Sequence, residues 1–121
     1  MLDVLVVDRD LRSARAVISR LNGWAYTAEV VETLHQAIET LSLKDCRIVI
    51  LAVYANERDA AHAITTIYQA HSKVRIVAVG DQSSLVLERA VRLSKVFYYM
   101  VQPIDFDELK AVLQRAVGEF A

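Results

Sequence analysis

The sequence predicts an α/β domain, a five-stranded parallel sheet with helices on both faces. Three observations carry this. Short apolar segments alternate five times with stretches of helical spacing along 121 residues. Three of those segments, Val4-Leu5-Val6-Val7, Ile48-Val49-Ile50-Leu51 and Ile76-Val77-Ala78-Val79, are nearly continuous and rich in β-branched residues, as strands buried on both faces read. Strand–helix–strand units connect right-handedly almost without exception, so the alternation closes into a parallel sheet covered on both sides.

The elements follow in order. The first strand is expected over 2–7. Asp10 then caps a helix whose inward stripe is Leu11, Ala14, Ile18 and Leu21. Segment 26–31 is more mixed and suits an edge strand. Thr33 and Gln36 have capping-box spacing and lead into Ala37, Ile38 and Leu41. A strand over 47–53 precedes a stripe of Ala60, Ala63, Ile64 and Ile67. A strand over 74–79 precedes a fourth helix marked by Leu85-Val86-Leu87, Ala90 and Val91. The last strand is placed at 96–101. Asp105 and Glu108 then open a helix with Leu109, Val112, Leu113, Ala116 and Val117 inward. Trp24 is expected to pack where the first helix turns into the edge strand.

Composition narrows the function classes. Hydrophobic residues make up 55% of the chain, enough for a real core. The 14 basic and 15 acidic residues are interspersed, with net charge −1 and a pI near 6.3, so no nucleic-acid footprint shows. Cys46 is the single cysteine, which excludes an intrachain disulfide and reads as a structural thiol in a reducing, cytoplasmic setting. The N-terminus has no signal-peptide pattern, and the apolar runs are too short for a bilayer. His35, His62 and His71 are far apart and lack metal-ligand spacing. The whole of 1–121 is read as one domain, any output domain lying outside it.

In such sheets ligands bind beyond the carboxyl ends of the strands. The residues there are Asp8-Arg9-Asp10, Ala52-Val53-Tyr54, Gly80-Asp81 and Gln102-Pro103. On the first of these segments and on Val101-Gln102-Pro103-Ile104-Asp105, the chain resembles the response-regulator receiver family along essentially its whole length. The resemblance implies a flavodoxin-like three-layer fold with strand order 2-1-3-4-5. It also implies an acidic pair after strand one, a phosphoacceptor Asp after strand three, a Ser or Thr after strand four, and Lys-Pro after strand five. The acids would hold Mg²⁺, the acceptor carboxylate would attack phosphorus, and the hydroxyl and ammonium would grip the phosphoryl oxygens.

Residue by residue, the sequence departs from that set. Asp8 keeps the first acid, and Arg9 stands at the second. Ala52 falls at the acceptor, Gly80 at the hydroxyl and Gln102 at the lysine, so four of the five groups differ. The expectation is a pseudo-receiver: a two-component signalling domain without catalytic residues, cofactor or metal site, its Mg²⁺ binding lost or weak. Asp8 is at most a residual ligand, better read as paired to Arg9 or capping the first helix. Arg9 is expected to fold into the emptied space as a substitute cation. The peptide before Pro103 is expected to be cis by the resemblance.

Such a domain would act by binding a signalling protein or an attached output domain, with no direct contact to nucleic acid or membrane. The resemblance places the partner and homodimer face on the fourth helix, fifth strand and fifth helix, with Arg92, Lys95, Tyr98 and Tyr99 as candidates. Tyr99 is also expected to keep one rotamer, because Gly80 offers no hydroxyl to follow. Two other readings stay open. One is a live receiver with a displaced acceptor at Glu57 or Asp59. The other is a small-ligand or anion sensor using the emptied pocket, with Arg9 as the contact. A flavodoxin-type nucleotide site is disfavoured, because 3 glycines in the chain and Asp8-Arg9-Asp10-Leu11-Arg12 make no phosphate cradle.

Overall fold

A computed structural model describes residues 1–54, 60–80 and 85–118. The chain runs β1 (Leu2–Val7), α1 (Leu11–Gly23), β2 (Ala28–Val31), α2 (Leu34–Leu43), β3 (Cys46–Val53), α3 (Ala60–Ala70), β4 (Arg75–Gly80), α4 (Leu85–Arg92), β5 (Tyr98–Val101) and α5 (Phe106–Gly118). All strand pairs are parallel, in the expected order β2-β1-β3-β4-β5.

Alternate residues of the strands feed two apolar layers, as a period of two requires. Val4, Val6, Ile48, Ile50, Val77 and Val79 point towards α1 and α5, against Leu21, Leu109 and Leu113. Leu5, Val49, Leu51, Ile76 and Ala78 point the other way, against Leu41 of α2, Ile64 and Ile67 of α3, and Val91 of α4. The three continuous apolar runs are therefore the three central strands, covered on both sides.

The caps form where the sequence puts them. Asp10 accepts from the amides of Arg12 and Ser13. Thr33 and Gln36 complete a reciprocal capping box. Asp105 accepts from the amides of Asp107 and Glu108. Two strands start two residues later than expected. Tyr26 is drawn back to α1 through its amide bond to the Leu21 carbonyl, so β2 begins at Ala28. Ala25, between them, takes a positive φ of 66°, the left-handed turn that reverses the chain. β5 begins at Tyr98, two residues past the expected start. Trp24 is half-buried in the α1–α5 layer, as expected. No helix among the described residues is long and apolar enough to cross a membrane.

Candidate functional site

The carboxyl ends of β1, β3, β4 and β5 meet in register: Val7 pairs with Leu51, Ala52 with Val79 and Gly80 with Val101. This brings Asp8, Ala52 and Gln102 to one shallow cavity of about 280 Å³, also lined by Asp10, Ser13, Val53, Tyr54 and Val79. Ala52 presents only a methyl group at the position where the resemblance expects a carboxylate.

Asp8 is 7% exposed and its Oδ1 is engaged twice. It accepts from the Asp10 amide at 2.8 Å and from the Tyr54 hydroxyl at 2.5 Å. The buried carboxylate is therefore satisfied by neutral donors. Tyr54 sits one residue beyond the end of β3, which aims its phenol across the sheet end towards β1. Burial and then the bond to Asp8 push its ionisation well above the ordinary phenol value, so it stays a donor.

Arg9 lies elsewhere than the sequence suggested. It is exposed, and its guanidinium stacks on the Tyr54 ring at 4.1 Å from the centroid. The phenol reaches Asp8, and the arginine covers the phenol. Tyr54 was given no role from sequence. An aromatic two residues past a small residue at a strand's carboxyl end was the only signal available.

These residues do not fit a Mg²⁺ site. The ion takes an octahedron of oxygens in which one or two carboxylates are free to bind it. One oxygen of Asp8 holds two donors, and both oxygens of Asp10 are occupied at the start of α1. Among the described residues no group of three His, Cys, Asp or Glu could hold a metal ion. Gln102 turns its Oε1 to the Ile104 amide at 3.2 Å, and its own amide bonds the Gly80 carbonyl at 2.8 Å. The Gln102–Pro103 peptide is cis. Asp81, Glu57 and Asp59 lie outside the described residues.

The second candidate region is the face of α4, β5 and α5. Arg92 and Lys95 are exposed, and Tyr98 is half-buried with its hydroxyl on Glu108 at 2.7 Å. That bond, foremost, raises the Tyr98 ionisation. Arg92 bonds Glu88 at 3.0 Å, and Arg115 lies 6.0 Å from the Tyr98 ring centroid. Leu85 and Leu93 add exposed apolar area at 68% and 89% exposure. Tyr99 corrects the sequence expectation of a surface contact: it is 5% exposed, lying beneath the face. Arg92 spans the ring at 5.5 Å.

The chain matches no protein-family model. It is 28% identical over 119 residues to the transcriptional regulatory protein ZraR of Escherichia coli K12, covering 97% of this chain and 26% of that protein. The Salmonella typhimurium ZraR is likewise 28% identical over 119 residues. The chain thus spans about a quarter of the length of these curated relatives. In structure it is similar to a two-component response regulator from Clostridium difficile, with TM-score 0.88, 13% identity and coverage of 99% and 98% of the two chains. It is also similar to the beryllofluoride-activated NtrC4 receiver domain dimer, with TM-score 0.88, 16% identity and full coverage of both chains. Strand order, fold and sequence similarity agree: the chain has the fold of response-regulator receiver domains and is similar in sequence to a quarter of the ZraR regulators.

Proposed function

We propose that this receiver domain transmits a signal without phosphoryl transfer, as a protein-interaction module. One observation carries the reading. At the carboxyl end of the sheet a methyl group stands at the acceptor position, and the remaining acid, Asp8, is engaged by Tyr54 and the Asp10 amide. A nucleophile is absent from that position, and the carboxylate that would help to hold Mg²⁺ is already bonded within the protein. Weak or lost Mg²⁺ binding belongs to the same proposal. The partner is a signalling protein or an output domain attached to this one, reached through α4, β5 and α5. That face combines arginine, tyrosine and exposed leucine, the composition of interface anchors. A homodimer through the same face belongs to the proposal; the NtrC4 receiver, similar in fold, is described as a dimer. The proposed setting is the cytoplasm.

The anion-sensor alternative finds less support. The described residues lining the cavity include Asp8 and Asp10 and no cation, so their field opposes an anion. The displaced-acceptor alternative would rest on Glu57 or Asp59. In-line transfer tolerates little misplacement, and both follow the acceptor position by several residues.

The test is the intact mass after incubation with acetyl phosphate and Mg²⁺, with a beryllofluoride titration alongside. The expected result is no added mass and no spectral response. A hydroxylamine-labile phosphoryl adduct overturns the proposal.

A further inference from the structure

We propose that the cavity at the amino-terminal ends of β4 and β5 binds a small aromatic carboxylate. It lies at the opposite end of the sheet from Asp8 and Ala52, and nothing in it depends on phosphoryl transfer or its loss. The cavity measures about 370 Å³, room for roughly one or two fused rings. Val74 and Ile76, both buried, give it an apolar floor. Tyr68, near the end of α3, and Phe97, just before β5, set two half-buried rings in its walls. Arg75 and Lys95 add two cations, and no described residue of the lining is acidic.

The backbone fixes both walls. Before β4, the His71 amide bonds the Ile67 carbonyl at 2.9 Å and the Val74 amide bonds the His71 carbonyl at 3.2 Å. Before β5, the Ser94 amide bonds the Val91 carbonyl at 3.0 Å, and the Phe97 amide reaches across to the Ile76 carbonyl at 2.7 Å. The cavity is therefore built before a ligand arrives, which spares the cost of ordering it. Each ring also has a cation close by. The Lys95 Nζ lies 5.7 Å from the Tyr68 ring centroid, and the Arg115 guanidinium lies 5.6 Å from that of Phe97. Lys95 is exposed in the turn after α4, yet its ammonium is turned towards α3. A ring face offers its three N–H donors no lone pair, so a carboxylate is the partner they lack in that contact.

The surroundings have the same sign. Segments 60–80 and 89–104 supply the entire lining, and they carry Lys73, Arg75, Arg89, Arg92 and Lys95 with no Asp or Glu. In a chain of net charge −1, this is a local excess of positive charge. An uncharged ring would leave the cations unused, and a bare anion would leave the rings and the floor unused. A flat ring with one carboxylate uses both, its face on Tyr68 or Phe97 and its charge on Lys95.

The test is amide chemical-shift mapping with naphthalene carboxylate as the probe. Saturable shifts are expected at 68–76 and 94–98, with the uncharged naphthalene carboxamide and with acetate each binding about tenfold more weakly. Lys95→Gln should weaken the carboxylate several-fold and Lys95→Glu about tenfold, while the carboxamide binds all three forms alike. Should Lys95→Glu fail to fold, Lys95→Gln decides alone. A carboxamide as tight as the carboxylate would reduce the site to an apolar crevice, and an acetate as tight would leave an adventitious ion only. Either result overturns the proposal, as does a carboxylate that gives no saturable shifts or that ignores both Lys95 variants.

Discussion

At the scale of single residues, the Tyr54 hydroxyl is the group on which the site turns. Removing it in Tyr54→Phe keeps the ring under Arg9 and leaves the buried Asp8 carboxylate short of one donor. The expected cost is about 1–3 kcal/mol, measured by urea unfolding at neutral pH. Arg9→Ala removes an exposed cation–π contact, which should itself be worth no more than about 1 kcal/mol in the same assay. A Tyr54→Phe variant as stable as the parent would mean that water replaces the phenol at no cost. Asp8, Ala52, Gly80 and Gln102 could be read from the sequence, because each falls at the end of a strand. The partnership of Tyr54 with Asp8 could not. It joins residues 46 apart and exists only because β1 and β3 are neighbours in the sheet. Arg9 was misplaced for a related reason. A charge count sees a missing cation, but it cannot see that a neutral phenol already serves the buried acid.

At the scale of elements, local chemistry decides the helix starts. The Thr33–Gln36 box satisfies orphan amides at the head of α2. Thr33→Ala should lower stability by about 1 kcal/mol, and Thr33→Ser should restore most of it, as read by thermal unfolding. Caps and inward stripes were legible because they depend on residues three or four apart. The starts of β2 and β5 were less so. Tyr26 and Phe97 have strand-like side chains, yet Tyr26 sends its amide to Leu21 and the ladder of β5 opens only at Tyr98. Which way the aromatic run 97–99 faces depends on its pairing with β4. In that register Tyr99 sits beside Ala78, which lies on the α2–α3–α4 side of the sheet. Tyr99 therefore goes beneath the face, while Tyr98 stays near its surface.

At the scale of the whole molecule, burial couples the fold to alkaline pH. Cys46 is 8% exposed, and burial pushes its thiol up to about 11 from an ordinary value of 9.0. The folded chain holds that proton more tightly than the unfolded chain. Stability from this group is therefore complete below about pH 9 and declines as pH climbs towards about 11. Burial also raises Tyr26 and Tyr54, and both act in the same direction. Denaturant unfolding should show a decline on the order of 2–3 kcal/mol from the thiol across that window. Cys46→Ala should flatten the slope while lowering the plateau. A slope unchanged in Cys46→Ala would assign the decline to the tyrosines.

The cavity also bears on which sequences lie within one substitution of this one. Ala52→Asp would set a third carboxylate in the space that Asp8 and Asp10 already line, and the described residues lining that space include no cation. Adding a hydroxyl side chain at 80 meets the ring of Tyr99. At positions 52 and 80, a step towards the receiver set is thus uphill unless a neighbour changes with it.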